Sequence, residues 1–319
     1  MTEHEDGLGV PENLSRLMIV EHDGGEIKVD RLLRSLREDM VVLIRNVNAE
    51  RADSVMYEVA DRLQLSGSLK LQAGFAGFVG HRHTIGKYFM SVNKRDDYQF
   101  IPPHSEGSSF VGMQLASFFC YENNTDGGET ILMNTDGSSS VWQSLKEKVR
   151  RGKIGSRPLA RHEILRARGL YKLNLPADVI REDDQILEER TTEIPGLAIV
   201  DVLAKPQKTH SAILDRELYV YWDSVGSIDS DSAAQYELLL RQSGLLKEPN
   251  GGLQLHQMDN SADRRIWHSR VNYAHLFRCK ITRKLEPGDL IIQNNLTWTH
   301  SASNWSPGSG TRKIAASFA

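Results

Sequence analysis

The stretch IPPHSEGSSF, residues 101–110, sets His104 and Glu106 two positions apart behind a pair of prolines. On an extended strand, residues i and i+2 point to the same face. An imidazole nitrogen and a carboxylate oxygen would then converge on one point, which is the arrangement a metal ion uses. Two protein ligands rarely hold a catalytic metal, so a third is required. Two histidines and one carboxylate on one face form the facial triad that leaves positions open on Fe(II) for oxygen chemistry.

The third ligand must be a histidine far along the chain. His300 is the candidate, because it follows the strand-like DLIIQNN and precedes a Ser/Gly/Pro-rich loop, 301–311, that turns the chain back. Arg312 then opens a strand expected beside the ligand strand. A guanidinium is a planar, two-pronged donor that suits a carboxylate. A metal centre with a carboxylate clamp beside it is what a dicarboxylate co-substrate needs.

These residues require elements to hold them. MVVLIR (40–45) reads as a buried strand, and 48–67 has apolar residues at helical spacing before a Ser-Gly stop. Residues 69–103 are Gly-rich, aromatic and basic without a period, and irregular stretches of that length are often functional. Residues 111–123 and 129–134 read as strands, 137–151 as a helix, and the charged 152–195 as an insertion. GLAIVDVL (196–203) and ELYVYWDSV (217–225) read as strands, 231–244 as a helix capped by Asp231 or Ser232, and 285–295 and 312–319 as closing strands. Strands parted by turns, with few helices between, predict a mainly β chain: an antiparallel sandwich or barrel with helical additions.

His104-Ser-Glu106, the distal His300 and Arg312 twelve residues after it resemble the Fe(II)/2-oxoglutarate-dependent oxygenases of the taurine dioxygenase and clavaminate synthase type. DGGETILMN (126–134) resembles the family's Gly-Gly-x-Thr segment, whose threonine position is Thr130 here. GDLIIQNNLTWTH (288–300) resembles its strand ending in an asparagine, here Asn295, five residues before the distal histidine. The resemblance implies a double-stranded β-helix, or jelly-roll. It implies Fe(II) on His104, Glu106 and His300, 2-oxoglutarate with its far carboxylate on Arg312 and Thr130, and one position for O2. Hydroxylation is the outcome it implies first, with desaturation or cyclisation as variants. Glu106 in place of the frequent aspartate is similar to the amino-acid-oxidising branch. The frequent His-Gly-Arg at the distal ligand is His300-Ser301-Ala302 here.

Composition narrows the rest. A net charge of −3 and a pI near 6.4 lack the basic excess of a nucleic-acid binder. Two cysteines, Cys120 and Cys279, are too few for a disulfide framework, so a reduced, cytoplasmic setting is expected. The apolar runs are too short to span a bilayer, and residues 1–319 read as one domain. A polar small molecule is the expected partner: an amino acid or a natural-product intermediate, as in tailoring of a secondary metabolite. Lys94 and Arg95 border the expected pocket and Arg270 is a further candidate for its anionic group. Phe75, Phe78 or Tyr88 would shield the metal from water. His81 and His83 in GHRHT have no carboxylate at ligand spacing and read as a loop, whereas His268 and His275 read as packed or hydrogen-bonded. A non-catalytic jelly-roll that binds a metal or small ligand, and a hydrolase using metal-bound water, are the alternatives. Neither needs Thr130 and Arg312 where they are.

Overall fold

Val41, Val42, Leu43 and Ile44 are all fully buried, a run that a strand carries when both its faces are covered. The computed structural model describes residues 18–25, 27–75, 82–92, 98–107, 112–221, 230–249, 256–257 and 273–319. In chain order the first elements are β1 (Ile19–Asp23), α1 (Val29–Arg37), β2 (Val41–Arg45), α2 (Ala49–Arg62) and α3 (Ser66–Phe75). Next come β3 (Met90–Ser91), β4 (Gln99–His104), β5 (Leu115–Asn123) and β6 (Thr130–Thr135). A long excursion follows: α4 (Val141–Ser144), β7 (Glu147–Ile154), α5 (Arg161–Tyr171), β8 (Gln185–Thr191), β9 (Leu197–Ala204), β10 (Lys208–Ser211), β11 (Arg216–Tyr219), α6 (Ser230–Gln242) and β12 (His256–Gln257). The chain closes with β13 (Phe277–Arg283), β14 (Leu290–Asn294), β15 (Trp298–Ala302) and β16 (Arg312–Phe318).

The larger sheet has the order β1-β2-β14-β5-β16-β3 and the smaller β12-β4-β15-β6-β13. From β3 to β6 successive strands alternate between sheets, and from β13 to β16 they do so again. The two runs interleave as a double-stranded β-helix, the expected jelly-roll. Between the sheets pack Val41, Leu43, Phe118, Cys120, Leu132, Ile291, Ile314 and Phe318. On the outer face of the larger sheet, Val42, Ile44, Phe119 and Ile292 meet Leu32 and Leu36 of α1 and Val55, Met56 and Val59 of α2. Those helix residues recur at the three-to-four spacing of one helical face. Asn48 caps α2 by accepting from the Arg51 amide at 2.8 Å.

The stretch 137–151 departs from the helical expectation. Only Val141–Ser144 is helical, and Glu147 onward pairs with β9 from Glu147↔Ala204 to Ile154↔Leu197. The cause is tertiary: the apolar strand LAIVDVLA takes a partner on each edge, β7 on one and β8 on the other. Residues 152–195 are patterned too, holding the end of β7 and all of α5 and β8. Among the described residues no helix is long and apolar enough to cross a membrane.

Asp39 ties the helical layer to the strand that carries His300. Its buried carboxylate accepts from Thr297 Oγ1, from Asn134 Nδ2 at 3.2 Å and from Arg278 Nη2 at 3.2 Å. Its carbonyl accepts from Trp298 Nε1 at 2.9 Å. Asp39→Ala strands these donors, and a buried group left unmatched costs about 1–3 kcal/mol. A lowered thermal midpoint is expected, and calorimetry of the variant checks it.

Candidate metal centre

His104 and His300 are cross-strand partners on β4 and β15. Partners in register face the same way, so both rings lie on one face of the smaller sheet, with centroids 4.3 Å apart. Glu106 joins them: one donor atom from each of the three residues can be chosen so that all lie within 4.8 Å of one another. Phe118, from the opposite sheet, packs on His300 with ring centroids 4.7 Å apart, and Phe318 lies at 6.3 Å.

The way Glu106 arrives differs from the expectation of one continuous strand. β4 ends at His104, and Glu106 sits in a bend before Gly107, whose φ is +98°. Asn295 fixes that bend. Its Oδ1 accepts from the Glu106 amide at 3.1 Å, and its Nδ2 donates to the carbonyls of Glu106 at 2.9 Å and Met113 at 2.7 Å. Asn295 is fully buried, so the grip is shielded from water. Partners of this kind around metal ligands typically change metal affinity by about 10–100-fold when removed. Asn295→Ala is expected to weaken Mn(II) or Fe(II) binding by that amount, as read by a metal titration.

The donor set fits a divalent transition metal. Nδ1 of His104 lies 2.8 Å from the Pro102 carbonyl, which can only accept, so that nitrogen carries the proton and Nε2 keeps the lone pair. Nδ1 of His300 is buried with no hydrogen-bond partner among the described residues. A buried imidazole left this way is one that a bound cation would help to satisfy. Burial, then the neighbouring His104 and Arg82, hold the His300 imidazole well below the usual histidine range. It is neutral at physiological pH, the form that ligates.

No sequence pattern singles out Arg82. It is the residue between His81 and His83, and its Nη2 meets Glu106 Oε1 at 2.9 Å. His83 itself is exposed, and its amide donates to Ser91 Oγ. No spacing rule finds an arginine at a separation of 24 residues.

Arg312 opens β16, which pairs with β5 and β3 and not with the ligand strand β15. It therefore approaches from the larger sheet. Its Nε donates to the Gly128 carbonyl at 2.9 Å, and its Nη2 lies 3.5 Å from Thr130 Oγ1. The Gly-Gly pair has a steric reason. A Cβ on Gly128, at φ +75°, would lie 2.8 Å from Arg312 Cδ, and one on Gly127 would run into the Asn304 carbonyl. Thr130 is buried, two residues along β6 from Leu132, the register partner of His300. Alternation puts Thr130 on the ligand face. Burial brings the Arg312 guanidinium down to about 10, with Cys120 and Glu129 opposing the shift. Among the described residues no carboxylate lies within ion-pairing distance of it.

Tyr88 does not shield this centre: it is buried on the helical side, stacked on Tyr57 at 5.6 Å. Phe118 and Phe318 line the centre instead. His275 is exposed rather than packed. Lys94, Arg95, Arg270, Phe78, His81 and His268 lie outside the described residues, as does the side chain of Phe75.

No family model and no curated protein matches the sequence. Solved structures with a distant likeness include PvcB from Pseudomonas aeruginosa, at 12% identity and TM-score 0.40 over 94% of this chain and 84% of that one. A second structure of PvcB, described as an Fe, alpha-ketoglutarate dependent oxygenase from an isonitrile synthetic pathway, gives 13% identity and TM-score 0.39 over the same shares. AAD-2, in complex with Mn(II) and N-oxalylglycine, gives 12% identity and TM-score 0.40 over 94% of each chain.

Proposed function

We propose that this chain is an Fe(II)/2-oxoglutarate-dependent oxygenase that hydroxylates, desaturates or cyclises a polar small molecule such as an amino acid or a natural-product intermediate. The observation that carries the reading is the pairing of two features on the two facing sheets. His104, Glu106 and His300 offer two imidazoles and a carboxylate within 4.8 Å. Arg312, from the facing sheet, offers a buried guanidinium with no carboxylate partner among the described residues.

When bound, Fe(II) supplies the O2 chemistry that couples decarboxylation of 2-oxoglutarate to oxidation of a substrate C–H bond. The chain's own part is placement and exclusion. His104 and His300 would hold the metal through imidazole nitrogens and Glu106 through a carboxylate oxygen, and three protein ligands would leave places for exogenous ones. Arg312 and Thr130 would receive the far carboxylate of 2-oxoglutarate, the guanidinium by charge and the hydroxyl by hydrogen bond. Phe118 and Phe318 give His300 an apolar backing that keeps water from one side of the centre. Lys94, Arg95 or Arg270 would hold an anionic group of the substrate.

A metal-dependent hydrolase would use the same three ligands with metal-bound water as nucleophile, but has no use for Arg312 beside Thr130. A screen of amino acids and related metabolites, scored by substrate-stimulated succinate release from 2-oxoglutarate, decides between the two. Release of succinate supports the oxygenase. Metal-dependent hydrolysis of a candidate with no consumption of 2-oxoglutarate supports the hydrolase.

A further inference from the structure

Glu106 has two carboxylate oxygens, and one of them is already engaged. Arg82 Nη2 donates to Oε1 at 2.9 Å, with the two side chains 25% and 15% exposed, so the contact is sheltered from solvent. The guanidinium is held from its other sides as well. It lies 5.5 Å from the Phe318 ring centroid, and Nη1 is 3.6 Å from Met90 Sδ. The loop that presents it is tied to β3: the His83 amide donates to Ser91 Oγ at 2.8 Å and the Ser91 amide to the His83 carbonyl at 2.8 Å. Phe318 in turn stacks on His300. Arg82 thus packs against the ring that backs one ligand while gripping the carboxylate of another.

Carboxylates bind cations with one oxygen or with both, and which they do is decided by what else the second oxygen meets. Building on the metal reading above, we propose that Arg82 is a positioning residue that restricts Glu106 to a single donor oxygen, keeping one more place on the metal open to exogenous ligands. Its planar, fixed donor fork is suited to this in a way that a flexible ammonium is less so. Removing it frees Oε1 to close onto the metal beside Oε2. The ion then gains a protein donor and loses a place for a small molecule.

The test uses the full chain loaded with Mn(II) in wild-type form and as Arg82→Met, Arg82→Gln and Arg82→Lys. Water-proton relaxation reads how many exchangeable waters the bound ion keeps, and a titration gives its Kd. Arg82→Met and Arg82→Gln are expected to load Mn(II) with one water fewer than wild type, and Arg82→Lys to restore the count in full or in part. Glutamine is the smaller change should methionine impair folding. If Met and Gln variants load Mn(II) with the wild-type water count, the proposal is overturned. Binding tightened by more than about tenfold at an unchanged count also overturns it, because Arg82 then only competes with the cation for the carboxylate. Wild-type protein that takes up no Mn(II), Co(II) or Fe(II) contradicts the metal reading itself and the proposal with it. That outcome is distinct from a loaded wild type whose variants match it.

Discussion

His300→Ala is expected to lower Fe(II) affinity by at least about a hundredfold and to abolish metal-dependent turnover, while the fold persists. Loss of a first-sphere ligand should exceed the 10–100-fold typical of the partners around it, and His104→Ala and Glu106→Ala should behave alike. The fold survives because the two sheets are held by Leu43, Cys120, Leu132, Ile291 and Ile314, none of which depends on the metal. Removing the His300 ring also takes away a buried imidazole with an unsatisfied nitrogen, so part of its packing loss is offset. Equilibrium dialysis with Fe(II), beside a thermal melt of the same protein, separates the two effects. Full activity in His300→Ala would show that the third ligand is elsewhere.

Arg312→Met is expected to weaken 2-oxoglutarate binding by about ten- to a hundredfold, since a charge-assisted hydrogen bond contributes roughly 1.5–3 kcal/mol. Fe(II) binding should be unchanged, because Arg312 stands on β16 and touches none of the three ligands. The free protein should lose about 1 kcal/mol or less, or become more stable, since the substitution removes a buried charge with no carboxylate partner among the described residues. The sign of the pH dependence follows from burial. The guanidinium, brought down to about 10, stays charged at neutral pH and loses its proton as pH rises through that value. Affinity for 2-oxoglutarate should therefore hold across neutral pH and fall above about 10, and Arg312→Met should not show that fall. Isothermal titration with 2-oxoglutarate at several pH values measures both. An unchanged Kd in the variant removes Arg312 from the co-substrate site.

The residues of this centre differ in how readable they are from sequence. His104 and Glu106 are two apart, and Thr130, Asn295, His300 and Arg312 follow in an order that is itself a pattern. Most of them sit on or next to an apolar run bounded by turn residues, so both the element and the residue can be found. Arg82 cannot be found this way. It lies in a loop without periodicity that is tied to β3, and its partner Glu106 stands past the end of β4, 24 residues on, at no local spacing. Tyr88 is hard to place for a related reason: an aromatic in an irregular stretch can pack on either side of a sheet, and Tyr57 on α2 claims it. Over 137–151 local propensity yields to an apolar strand that needs a neighbour. Asp39 is similarly silent, the second of two adjacent acids after a helix, with three side-chain partners about a hundred to two hundred and sixty residues away.

The central claim is that one metal and one 2-oxoglutarate meet between the two sheets. It is tested most directly by titrating the Fe(II)-loaded protein with 2-oxoglutarate in the absence of O2 and following visible absorption. No substrate need be known. Wild type is expected to develop a charge-transfer absorption that saturates at one 2-oxoglutarate per chain, absent in Glu106→Ala and requiring more 2-oxoglutarate in Arg312→Met. Fe(II)-loaded wild type that gives no such absorption at saturating 2-oxoglutarate would contradict the account.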